Sequence, residues 1–230
     1  MVQINGVSGV NFESDYFTGG GTSGIGIDFK GLPGSADYAI YYNISKSQFL
    51  AMNLAVIYDT YSQGLTISQT NFQNLQTGVY VPPGTVGLAQ LNILGGNQFA
   101  TYADAVHVEG AVADITITGN DLYAPTGFSA INLLQSAGFA IVGNTITGQD
   151  ATTTIGIAAA NTLNGVAGTI SGNKLHALGT GVVLTSTANH VTMSGNGYSA
   201  NLVNGTNAGS LMAPLLRGPT FRSNTIMAAA

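Results

Sequence analysis

Apolar and polar residues alternate along this chain in short runs that share one ending. Each run closes on a small residue, a polar residue, any residue and one more apolar residue. Copies begin at Val10-Asn-Phe-Glu-Ser-Asp15-Tyr-Phe17 and Leu65-Thr-Ile-Ser-Gln-Thr70-Asn-Phe72, and later at Ile115-Thr-Ile-Thr-Gly-Asn120-Asp-Leu122 and Gly168-Thr-Ile-Ser-Gly-Asn173-Lys-Leu175. The polar anchor recurs at Asp15, Ser47, Thr70, Asn97, Asn120, Asn144, Asn173, Asn196 and Asn224, at intervals of 32, 23, 27, 23, 24, 29, 23 and 28 residues. A period near 23 with a few added residues is the mark of a solenoid whose insertions lie in loops. A second run sits inside each period, as in Gly26-Ile-Asp-Phe29, Ala55-Val-Ile-Tyr58, Gly78-Val-Tyr-Val81, Ala105-Val-His-Val108 and Ala130-Ile-Asn-Leu133. Both runs have period two, so each predicts a short strand with one face inward. No single repeat can bury its apolar face, and stacking about nine of them in register predicts one all-β parallel solenoid over residues 1–230.

The Gly-Asn step of the later repeats predicts a sharp bend, and a column of Asn side chains can hydrogen-bond from one turn to the next. The inward side chains of the ladder strand then include Ile117, Ile141, Ile170 and Met193. Its outward positions carry Thr66, Ser68, Thr116, Thr118, Thr169, Ser171, Thr192 and Ser194, with Ile93, Ala140 and Val142 as interruptions. Exposed strands favour such hydroxyl residues for their own sake.

Charge narrows the function classes. Only 7% of residues are charged, the net charge is −5, and Lys plus Arg number five. Binding of nucleic acid through phosphate neutralisation is therefore not expected. No apolar stretch approaches the length of a membrane span. Cysteine is absent, which removes disulfides, thiolate metal sites and a thiol nucleophile. The three histidines show no metal-ligand spacing, and nothing calls for a cofactor; His176 and His190 are expected in structural turn positions. The chain opens Met1-Val2-Gln3-Ile4, without a basic segment or an apolar signal core, in the middle of a repeat. That opening predicts a piece of a longer chain.

The Ile117-Thr-Gly-Asn120-Asp-Leu122 style of repeat resembles the right-handed parallel β-helix of the pectate-lyase-like superfamily, which includes phage tailspikes and polysaccharide-degrading enzymes. The resemblance runs from about Val10 to Ile226. It implies that the Asn column follows the second strand of each turn, that the Gly/Ala-Ile-x-apolar run is the first strand, and that the outer face of that strand holds a glycan. It also implies an extracellular or virion-surface protein with polysaccharide as partner and a homotrimer among its expected assemblies. Signatures of particular members are missing. There is no calcium-binding run of Asp, no Gly-His-Gly with an Asp pair, and the only arginines are Arg217 and Arg222 near the C-terminus. Elimination chemistry of the pectate-lyase type is disfavoured accordingly.

On the presumed first strand, successive outward positions are Asp28, Ile57, Tyr80, His107, Asn132, Ala158 and Val183. Two residues on come Lys30, Asp59, Pro82, Glu109, Leu134, Ala160 and Thr185. Five of the eighteen Lys, Arg, Asp, Glu and His side chains thus share one strip. Asp59 and Glu109 fall two turns apart, about 9.6 Å by strand spacing, near the upper limit of the carboxyl separation of roughly 6.5–9.5 Å in inverting glycosidases. They are the candidate catalytic pair. Asp28, Tyr80, His107 and Asn132 are the candidate substrate-binding residues, with Tyr80 offering an aromatic face to a sugar. The competing expectation is a non-catalytic shaft or adhesin, because Leu134, Ala158, Ala160 and Val183 make the later strip apolar and fit for packing against another subunit.

Overall fold

The computed structural model describes residues 1–21, 23–32, 39–136, 138–159, 168–184, 191–207, 220–222 and 225–226. Asn224, His190, Ala160, Thr185 and Arg217 lie outside the described residues, as does the side chain of Arg222. Twenty-five strands are described, all of their pairings are parallel, and no helix occurs among the described residues. One sheet has nine strands and the other sixteen.

Each turn of the solenoid visits three faces. The second face is the nine-stranded sheet, running from Asn11–Glu13 through Val112–Thr118 to Thr220–Arg222. The larger sheet supplies the other two faces, because the eleven-residue strands Gln48–Tyr58 and Asn71–Val81 bend from one into the other. At the bends Ala51 and Asn74 take left-handed φ of 54° and 56°. The third face includes Gln98–Thr101, Asp121–Ala124 and Thr145–Gly148, and the first face Val106–Val108, Ser129–Leu133 and Ile155–Ala159.

Inward side chains form columns. Ile67, Ile93, Ile117, Ile141, Ile170 and Met193 are fully buried and paired in register on the second face. Behind the third face, Phe17, Phe49, Phe72 and Phe99 stack with centroids 4.6, 5.2 and 4.4 Å apart and nearly parallel planes. This column explains the Gly or Ala that opens each first-face run. A Cβ on Gly78 would come within 2.7 Å of the Phe99 ring and of the Ala105 carbonyl, and Gly26 is similarly crowded by Phe49 and Ala55.

The corner between the second and third faces is built from the polar anchors. Asn97, Asn120, Asn144, Asn173 and Asn196 are all buried. The Nδ2 of each of the first four donates to the Oδ1 of the Asn one turn on, at 2.8–3.0 Å. That same Oδ1 also accepts the backbone N–H of the preceding Asn, as at Asn120 and Asn144. Thr70 joins the column through its N–H to Asn97 Oδ1 at 2.9 Å, and Ser47 precedes it. The left-handed residue at this corner is the one before the anchor: Gly119, Gly143, Gly172 and Gly195 have φ between 63° and 69°. The Gly therefore makes the bend and the Asn makes the bonds.

Two expectations need adjustment. The nine repeats yield about seven fully packed turns. Ile4, Phe12 and Phe17 of the N-terminal turn are only partly buried against the core, and for the strands after Asn207 only the backbone is described. Second, Ile93 points inward; Asn92 and Leu94 occupy the outward positions, paired with Thr66 and Ser68. The fourth repeat carries one extra residue at its Gly95-Gly96 corner, so counting back from Asn97 misses the strand by one place.

Candidate functional site

The first-face strands align the outward residues in the expected register. Asp28 pairs with Ile57, Ile57 with Tyr80, Tyr80 with His107, His107 with Asn132, Asn132 with Ala158 and Ala158 with Val183. Residues immediately beyond the strand ends continue the ladder, since the N–H groups of Asp59 and Glu109 donate to the carbonyls of Phe29 and Val81. Hydrogen bonding divides this strip into two groups, with Pro82 at the corresponding place of the intervening turn.

The N-terminal group contains Asp28, Lys30 and Asp59. Lys30 Nζ lies 2.9 Å from Asp59 Oδ2, and Asp59 Oδ1 accepts from the Thr60 N–H at 2.6 Å and the Thr60 hydroxyl at 2.9 Å. Burial works to raise the Asp59 pKa, but the Thr60 N–H and Lys30 outweigh it and hold the carboxyl below the usual range. Asp28 goes the other way. Burial, then the neighbouring charge of Asp59, raises its pKa. Its Oδ1 is buried without a hydrogen-bond partner, and Gln3 reaches Oδ2 at only 3.4 Å. Two adjacent carboxyls are thus pushed apart in acidity, a pattern that separates proton donors from acceptors.

The second group joins three turns. Glu109 Oε2 accepts the Tyr80 hydroxyl at 2.9 Å, and Glu109 Oε1 lies 3.1 Å from His107 Nε2. The other imidazole nitrogen, Nδ1, lies 2.5 Å from Asp104 Oδ2. Asp104 is only 5% exposed and is anchored further by the Ser129 N–H at 2.7 Å and the Asn132 amide at 2.9 Å. The Asp104 hydrogen bond raises the His107 pKa, burial opposes it, and Glu109 adds to the rise. Burial, followed by the bond to Glu109, moves the Tyr80 hydroxyl up to about 12. A protonated imidazole between two carboxylates donates from both nitrogens, so every member of the group has a fixed partner.

This group makes a pH prediction. A histidine whose folded pKa lies above its unfolded value adds stability that is complete below about 6.5 and fades as pH rises through the folded pKa. The stability difference between the parent and His107→Gln should therefore shrink as pH rises above 6.5. An NMR titration of His107 should give a midpoint above 6.5 that falls in Asp104→Asn. A midpoint unmoved by Asp104→Asn would show that this contact does not set the acidity.

A family model described as a right-handed beta helix region matches residues 55–226. The chain belongs to the right-handed beta helix family. No curated protein matches it. The matched part of this β-helix includes Asp59, Tyr80, His107, Glu109 and Asn132, while Asp28 precedes it.

Sequence reasoning passed over Asp104. Its place in the repeat is the residue before the small Gly or Ala, where Leu54, Thr77 and Ser129 stand in other copies. Thr77 and Ser129 are also buried, so a carboxylate at that position had to be both internal and paired. That was the available signal. His176 lies on the third face, with Nδ1 3.0 Å from the Ser199 hydroxyl, away from the strip.

Proposed function

We propose that this β-helix binds polysaccharide along the outer first face and hydrolyses it there, as an extracellular or virion-surface protein. The observation that carries this reading is the group of Tyr80, Glu109, His107 and Asn132 held from below by buried Asp104. Ordinary surface residues need no such support, whereas a binding or catalytic constellation needs its side chains locked by a second layer of bonds. In the proposed reaction water adds to the anomeric carbon and gives a proton to Asp59, which Lys30 and Thr60 keep ionised. The glycosidic C–O bond breaks, and its oxygen takes a proton that the imidazolium of His107 passes through the Glu109 carboxylate. The two-turn spacing of about 9.6 Å suits inversion.

General acid and base catalysis each contribute roughly 10²–10⁴-fold. Glu109→Gln and Asp59→Asn should each cut the release of reducing ends from the cognate polysaccharide by at least about 100-fold, with the fold and glycan binding retained. Unchanged turnover in either variant would remove that residue from the mechanism. A glycan array followed by a reducing-end assay supplies the substrate.

A second reading has its own observation. Past Asn132 the same ladder continues as Ala158 and Val183, both half-buried, beside exposed Leu134. An apolar continuation fits contact with another subunit, and hence a structural rod such as a homotrimer. Val183→Lys should then lower the assembly state in sedimentation, while a parent that sediments as a monomer removes this reading.

A further inference from the structure

The middle turns of the third face carry polar side chains that make no hydrogen bonds among the described residues, unlike the Tyr80, Glu109, His107 and Asp104 group of the first face. The register sets Gln48, Asn71, Gln98, Asp121, Thr145 and Lys174 in one outward row. Gln73 pairs with Ala100 in a neighbouring row, and Tyr123 with Thr147. A cleft of about 460 Å³ lies over Asn71, Gln73, Gln98, Asp121, Tyr123 and Thr147. A second, of about 430 Å³, shares Asn71, Gln98 and Asp121 and extends to the Asn corner at Gly119 and Thr145. Together they make a trough across four consecutive turns.

None of the side-chain groups of Asn71, Gln73, Gln98, Asp121, Tyr123 or Thr147 forms a hydrogen bond among the described residues, although Gln73, Gln98 and Asp121 are exposed. The lining is thus a set of free amides, one carboxylate and one half-buried aromatic ring. Amides donate and accept in pairs, and a carboxylate accepts from two hydroxyls at once. An aromatic ring supplies an apolar platform with a polar tip. No cation lines either cleft; Lys174 stands two turns from Asp121 in the row. A phosphate, sulfate or uronate polymer would find no counter-charge here and would meet Asp121. A ligand rich in vicinal hydroxyls and without charge meets all of these groups.

We infer that this trough is a neutral-oligosaccharide binding site, separate from the first-face site and running along the solenoid axis. Each strand adds about 4.8 Å, so four turns accommodate a short oligomer laid along the rows. Asp121 accepts hydroxyls, Gln98 and Asn71 bridge adjacent ones, and Tyr123 covers a ring face.

The test uses the whole chain, titrated by NMR with hexamers of glucose in α- and β-linkage, of xylose and of N-acetylglucosamine, and with an acidic hexuronate hexamer. At least one neutral hexamer should shift the side-chain amide resonances of Asn71, Gln73 and Gln98, and the acidic hexamer should not. Asp121→Asn and Gln98→Ala, which alter only exposed groups, should each weaken that binding several-fold, and Tyr123→Ala at least tenfold. His107→Gln and Glu109→Gln should leave it unchanged, which separates this site from the first-face proposal. The inference is overturned if no neutral hexamer shifts these amides, if the acidic hexamer shifts them equally, or if the third-face variants bind like the parent. Loss of the amide shifts on changing His107 or Glu109 would also overturn it, by assigning the ligand to the first face.

Discussion

Ile170→Asp should unfold at least the C-terminal turns of the solenoid. Ile170 is fully buried and sits between Ile141 and Met193 in the second-face column. A carboxyl placed there has no hydrogen-bond partner in an apolar stack. Even after taking up a proton it costs several kcal/mol, against a total stability of about 5–15 kcal/mol for a typical domain. In a solenoid each turn is held mainly by its neighbours, so the damage spreads along the axis and is not confined to one side chain. Thermal melting followed by circular dichroism should show a large loss of strand signal or an early first transition. Limited proteolysis should cut first beyond Gly168. A variant that melts with the parent would mean that Ile170 does not point inward.

Asn144→Leu is expected to have the second largest effect on folding. The Asn144 side chain accepts the Asn120 N–H and the Asn120 amide through Oδ1. Through Nδ2 it donates to the Ile117 carbonyl and to Asn173 Oδ1. Leucine keeps the volume and supplies none of these bonds. The Asn120 N–H loses its acceptor, and the Ile117 carbonyl loses that donor, both at a buried corner. At about 1–3 kcal/mol for each of the two stranded groups, the expected loss is about 2–6 kcal/mol, measured by denaturant unfolding. Asn144→Thr is the informative control. Thr70 occupies the equivalent corner and bonds the Ser68 carbonyl and the Ser47 N–H through its hydroxyl, so Thr should recover part of the loss. Equal stability of parent and Leu variant would show that the Asn column contributes bend geometry and not energy.

The legible part of this protein was the part that repeats. Alternation with period two states which side chains face inward, and nine copies of one anchor state that the strands stack. The first-face register from Asp28 to Val183 followed from the copies of Gly/Ala-Ile-x-apolar alone, because every copy has the same length between its small residue and its outward third position. Where a repeat changed length, the reading slipped. One added glycine at Gly95-Gly96 displaced the fourth ladder strand by one place and turned Ile93 outward on paper. The first-face strip was legible only as a row of outward residues. Which of them hold one another depends on side-chain reach across turns, and sequence alignment of repeats carries no information on that.

Two neighbourhoods show the difference. Asp59 could be placed two turns from Glu109 by counting, but its engagement by Lys30 and Thr60 is a matter of rotamers and solvent exclusion. Asp104 does not belong to the outward row at all, yet it anchors His107, Asn132 and the Ser129 backbone because the chain folds that corner inward. The trough on the third face likewise arises from stacking four turns whose outward residues are unremarkable one by one. By itself the sequence determined the all-β solenoid, its inward columns and its Asn corner, since those depend on local period and on residues that recur at every turn. The tertiary structure alone decided which carboxyls are paired, which are pushed apart in acidity and where a cleft opens, since burial and rotamers set even the local pairs such as Asp104 with His107, and stacking adds partners more than twenty residues away, such as Lys30 for Asp59 and Tyr80 for Glu109.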